Sequence, residues 1–201
     1  MNRFFCIALV ICSFVSTTPA LAHTPIMGIG GVFGGIIHAL LIPEHGLTLL
    51  ALGLVLGRRQ QETRRSGLLV FAAALTCGLV AAALTGEETL AGDILLLVAG
   101  TLGLLIAADW APPRLALALA ALAGVTFALD SKPDGISTAE SARMLIGSGL
   151  GAVIALAVVA EVSVFFRGYA LFIAARVAGS WIAAIGIMVL SLRIATRMTL
   201  G

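Results

Sequence analysis

The chain has 201 residues, of which 60% are hydrophobic and only 11% charged, and it carries a net charge of +2. Its mean hydropathy is +1.13, whereas soluble domains carry roughly 25% charged residues. Most of the surface must therefore face hydrocarbon: the lipid bilayer is the medium, and so small a net charge argues against a nucleic-acid partner.

The first element is a secretory signal over residues 1–22. Asn2 and Arg3 give a short positive start, Phe4 to Val15 an apolar core, and Ala20-Leu21-Ala22 a small-x-small cleavage pattern. The alternative is a signal retained as a helix. Cleavage removes Cys6 and Cys12 and leaves only Cys77, which excludes an internal disulfide framework and a Cys-based metal site. Residues 23–201 then form a single helical transmembrane domain that begins at His23.

A spanning helix needs about 20 mainly apolar residues. Six segments meet this after the signal: 28–56, 67–84, 90–107, 114–129, 144–165 and 177–194. The connections are short. The expected fold is an all-α membrane protein, a six-transmembrane-helix bundle without a soluble domain. A cleaved signal puts the mature N-terminus in the periplasm of a bacterial inner membrane. The loop GRRQQETRR then falls in the cytoplasm with Arg58, Arg59, Arg64 and Arg65, and the alternation adds Arg114, Arg167 and Arg176. Lys132, Arg143, Arg193 and Arg197 lie outside, a bias that follows the positive-inside rule.

Glycines recur in GIGGVFGG (Gly28 to Gly35), in GSGLG (Gly147 to Gly151) and as Gly179 and Gly186. Small residues let helix backbones approach closely in lipid. Packing accounts for most of them; the dense first run also suits a backbone that lines a narrow path.

All three histidines lie between positions 23 and 45. HALLIPEH places His38, Glu44 and His45 in an otherwise apolar segment, and ionisable groups inside a bilayer usually face a partner, the bundle interior or a water-filled cavity. The alternative is that Glu44 and His45 sit at a helix end among headgroups. In an unbroken helix, the rise from His38 to His45 is about 10 Å, too long for one metal held roughly 2 Å from each nitrogen. Pro43 changes this. It lacks an N–H, frees the carbonyl of Ala39 and distorts the preceding turn, while Ile42 is biased toward extended backbone. A broken helix is expected here, bringing two imidazoles and a carboxylate together as a metal site. A leading His23 would add its amino nitrogen and ring Nδ1, donors that suit nickel and copper.

Further along, Glu87, Glu88 and Asp93 form an acidic patch at a helix start; either the positive helix end favours them there or they capture ions. Asp130 and Asp134 flank the turn residues Pro133 and Gly135; they are either solvated loop carboxylates or part of an outer vestibule. Glu161 lies inside the fifth segment. It either pairs with Arg167 or Arg176 or serves as an inner relay; under the vestibule and relay readings Asp130, Asp134 and Glu161 would make up a secondary ion path. Asp109-Trp110 with Pro112-Pro113 marks an interfacial turn, and Trp181 is a packing or interface aromatic.

The segment from His38 to His45 resembles the His-Pro-x-x-Gly-x-Asp-His signature of the HupE/UreJ family of hydrogenase and urease accessory membrane proteins. Both histidines and the acid before the second match, and LTLLALGL is similar to the family's Leu-rich continuation. The signal with a His-bearing mature start is also similar. Near the C-terminus, Arg176, Gly179, Ile182, Ala183 and Gly186 resemble the family's Arg-x-x-Gly-x-x-Ile-Ala-x-x-Gly pattern. The resemblance implies a nickel or cobalt permease, with His38, Glu44 and His45 in the metal-motif positions. Ala39, Ile42 and Glu44 stand where the motif has proline, glycine and aspartate. FALDSKPDG stands where the family tends to carry a second His-rich stretch, and oxygen in place of nitrogen makes a site harder, toward manganese or magnesium.

The chain has no nucleophile elbow, no phosphate-cradling loop, no HExxH and no paired carboxylates on one face, so no enzyme is expected. No tightly bound cofactor is expected either; the divalent metal is cargo. With no ATP-binding segment, the expected function is a secondary permease for nickel or cobalt. The alternative is a non-transporting membrane scaffold, a metal-holding accessory partner of a metalloenzyme or respiratory complex. A homo-oligomer fits either.

Overall fold

A computed structural model describes residues 30–84, 90–133, 137–165 and 169–200. The signal region, His23, Glu87, Glu88, Asp134 and Arg167 lie outside the described residues. Among those described there are seven helices and no strand: α1 (Gly31–Leu41), α2 (Pro43–Gly57), α3 (Gln61–Leu84), α4 (Ala91–Ala107), α5 (Pro113–Asp130), α6 (Thr138–Phe165) and α7 (Tyr169–Leu200).

Local chemistry explains several boundaries. Pro43 and Pro113 occupy the first turns of α2 and α5, where a missing N–H costs nothing. Between α1 and α2, Ile42 is extended, with φ −72° and ψ 120°. The two helices bend by 75° at this residue. The expected helix break is therefore present, and Pro43 opens the second limb.

Four helices, α3, α5, α6 and α7, are long and apolar enough to cross a membrane, and the bent α1–α2 pair makes a fifth candidate. The chain is a multi-pass helical membrane protein. Among the described residues this is fewer than the six full spans expected from sequence. α4 has 17 residues, a rise of about 26 Å against a hydrocarbon core of roughly 30 Å. α6 and α7 instead extend past the apolar segments that foretold them, carrying charged ends such as Glu140 and Arg197 in continuous helix.

Helices α3 and α5, α4 and α7, and α1 and α6 form the closely packed pairs, and α2 runs between α4 and α6. Glycine accounts for the closest approach. A Cβ on Gly35 of α1 would lie 2.0 Å from the Met144 carbonyl oxygen of α6, and one on Gly147 would lie 2.0 Å from that of Val32. Ser148 Oγ donates to the Gly35 carbonyl across the same contact at 3.1 Å. These glycines thus pack α1 on α6. Leu52, Leu56, Phe71, Leu95, Leu102, Phe127 and Leu156 fill the centre, while Leu69, Leu97, Ile154 and Met188 point outward, as expected of a lipid-facing surface.

Candidate functional site

The break at Ile42 sets the first turn of α2 deep in the bundle, and it carries Glu44 and His45 inward, 3% and 0% exposed. Thr48, one turn on, donates its hydroxyl to the Glu44 carbonyl at 2.7 Å and sits 3.2 Å from that of Leu95 in α4. The acid and the imidazole meet different partners.

His45 Nε2 lies 3.0 Å from Asp130 Oδ2, at the C-terminal end of α5. The Phe127 ring, one turn back on α5, lies against the imidazole with centroids 4.0 Å apart. With Asp130 ionised, Nε2 carries the proton and donates it. In the neutral imidazole of that tautomer the lone pair is on Nδ1. That atom is buried and has no hydrogen-bond partner among the described residues. Asp130 is therefore an inward-facing partner of His45, and not a solvated turn carboxylate.

Glu44 Oε1 accepts from Arg193 Nη2 of α7 at 2.7 Å. Asp93, in the first turn of α4, lies 3.5 Å from Arg193 Nη1 and pairs also with Arg197. Gly92 makes room for this meeting: a Cβ there would stand 2.8 Å from Asp130 Oδ1 and 3.1 Å from Arg193 Nη1. Three carboxylates, two guanidiniums and one imidazole thus share one end of the bundle, drawn from α2, α4, α5 and α7.

His38 is buried on α1, on the other limb of the bend. Among the described residues no three His, Cys, Asp or Glu side chains form a group that could hold a metal ion. No gathering of His38, Glu44 and His45 around one ion is thus found among the described residues in this conformation; Asp130 and Arg193 engage His45 and Glu44 separately.

Glu161 pairs with Arg64 of α3 at 2.9 Å, a partner different from the two expected. Arg176 donates from Nε to the Ala107 carbonyl at 2.7 Å. The sequence offered little warning of Asp93, Arg193 and Arg197 as site residues. Asp93 reads from sequence as a residue either favoured by the helix start or capturing ions, and Arg193 and Arg197 count only toward orientation. Their spacing of four along one helix was the available signal, since it puts both on one face.

Comparison with known proteins adds one positive finding. A family model described as "HupE / UreJ protein" matches residues 10–190. No curated protein and no solved structure matches the chain.

Proposed function

The chain belongs to the HupE/UreJ family, and from that premise we propose that it is an inner-membrane secondary permease for a divalent transition-metal ion, nickel or cobalt above others. The proposed membrane form is six passes after a cleaved signal, with the mature N-terminus in the periplasm. The two limbs of the α1–α2 break count as one pass and the short α4 as another.

One observation carries this reading. The His45 imidazole is fully buried, its Nε2 faces Asp130, and its Nδ1 is without a hydrogen-bond partner among the described residues. Metal-ligating histidines commonly donate their other N–H to a carboxylate, which fixes the tautomer and raises the basicity of the ligating nitrogen. His45 has that arrangement. Glu44 stands beside it with an anionic oxygen that offsets cationic charge, and His38 and a leading His23 are the further nitrogen donors.

In this conformation a side-chain cation occupies Glu44. Arg193 already neutralises Glu44, so Glu44 serves an incoming ion only once that pair opens. Nitrogen from histidine and oxygen from a carboxylate suit late first-row divalent ions.

A second reading, a non-transporting scaffold or metal-holding partner of a metalloenzyme, is favoured by the lack of a three-ligand group among the described residues. Uptake of radioactive nickel or cobalt by vesicles separates the two. Wild type accumulates the ion above empty vesicles and His45→Ala does not. Accumulation by neither above empty vesicles removes the permease and leaves the scaffold; equal accumulation by both above that level removes His45 from the site and keeps the permease.

A further inference from the structure

At the other end of α2, about 21 Å along the helix from Glu44 to Arg58, the structure holds a second polar feature of opposite character. A cavity of about 670 Å³ opens between α2 and α7, with Leu50, Leu54 and Ala178 on its walls and Arg58, Arg59 and Phe172 at its head. Its size lies within the roughly 300–1,000 Å³ of small-molecule sites. Arg58 pairs with Asp109, and the guanidiniums of Arg58 and Arg176 lie 5.0 Å and 5.8 Å from the centre of the Phe172 ring.

Arg59, only partly buried, makes no ion pair among the described residues. Its Nε is buried and has no hydrogen-bond acceptor among the described residues. A buried guanidinium N–H without an acceptor is costly, and an arginine fork fits a phosphate in two-point contact. The surroundings carry three guanidiniums, Arg58, Arg59 and Arg176, against the Asp109 carboxylate. A divalent cation would be repelled there. The walls below are aliphatic, and Leu50 is 41% exposed, so the cavity is continuous with the outward apolar surface of α2.

We propose that this cavity is a binding site for an anionic phospholipid, its phosphate held by Arg59 and Arg58 and the upper part of its acyl chains lying along Leu50, Leu54 and Ala178. Basic pockets between membrane helices take anionic headgroups in this way. The site couples the same two helices, α2 and α7, that meet through Glu44 and Arg193 at the far end. It does not depend on the cation reading, because nothing in it requires transport.

The test is native mass spectrometry of the full chain, purified in neutral detergent and titrated with phosphatidylglycerol, phosphatidylcholine or inorganic phosphate. One phosphatidylglycerol per chain is expected to persist, with phosphatidylcholine stripped and millimolar phosphate unable to compete. Arg59→Ala weakens retention roughly tenfold or more, the size of one lost charge-assisted contact. Ala178→Trp fills the wall without touching charge and does the same, which keeps the test open if the arginine variant does not fold. Equal retention of phosphatidylcholine, or phosphatidylglycerol binding untouched by Ala178→Trp, overturns the proposal. Displacement by inorganic phosphate also overturns it, by making the head of the cavity a free-anion site.

Discussion

Glu44 and Arg193, 149 residues apart in the chain, meet at 2.7 Å with the carboxylate almost wholly enclosed. The contact ties the first turn of α2 to the last third of α7. Removing one partner of a buried pair leaves an uncompensated charge, at a cost of about 3–5 kcal/mol. Arg193→Ala should therefore lower stability by that order, read as thermal unfolding in detergent. Arg193→Ala combined with Glu44→Gln should recover most of the loss. If the double variant is as unstable as the single one, the pair does not act through charge.

Asp130 is predicted to act through His45. Asp130→Asn keeps the size and removes the charge that fixes the Nε2 proton, so cation affinity should fall about 10- to 100-fold, the usual cost of losing such a partner. Nickel or cobalt uptake measured against external concentration reads this as a raised half-saturation. A halved maximal rate at unchanged half-saturation would point to folding instead.

Glu161 separates two roles that its position in the sequence left open. Its carboxylate is more than half exposed and held by Arg64. Glu161→Gln is accordingly expected to leave vesicle uptake at the wild-type level. A large fall in uptake with normal protein abundance would restore Glu161 as a relay.

The α1–α6 seam offers a test of packing alone. Gly35→Ala drives a methyl into the Met144 carbonyl, 2.0 Å away, while the nearest atom to a Cβ on Gly46 is at 3.8 Å. Overpacking costs typically 1–3 kcal/mol, so Gly35→Ala should destabilise by about that amount or more, and Gly46→Ala should be tolerated. Similar melting temperatures for the two variants would mean that α1 does not lie on α6 as described.

The sequence by itself determined the medium, the helical class and the break. Hydrocarbon forces each segment to satisfy its own backbone, and a proline lacking its N–H interrupts a helix whatever surrounds it. The HALLIPEH resemblance likewise led to the family that the chain belongs to, because it rests on residues adjacent in the chain. Only the tertiary structure decided which charge meets which. His45 with Asp130, Glu44 with Arg193 and Glu161 with Arg64 join positions 85 to 149 apart. A helix that is apolar all round shows no amphipathic face to say which side turns inward. That rotation is fixed by glycine contacts and by the packing of neighbouring helices, and the glycine runs in the chain do not say which helix each one meets.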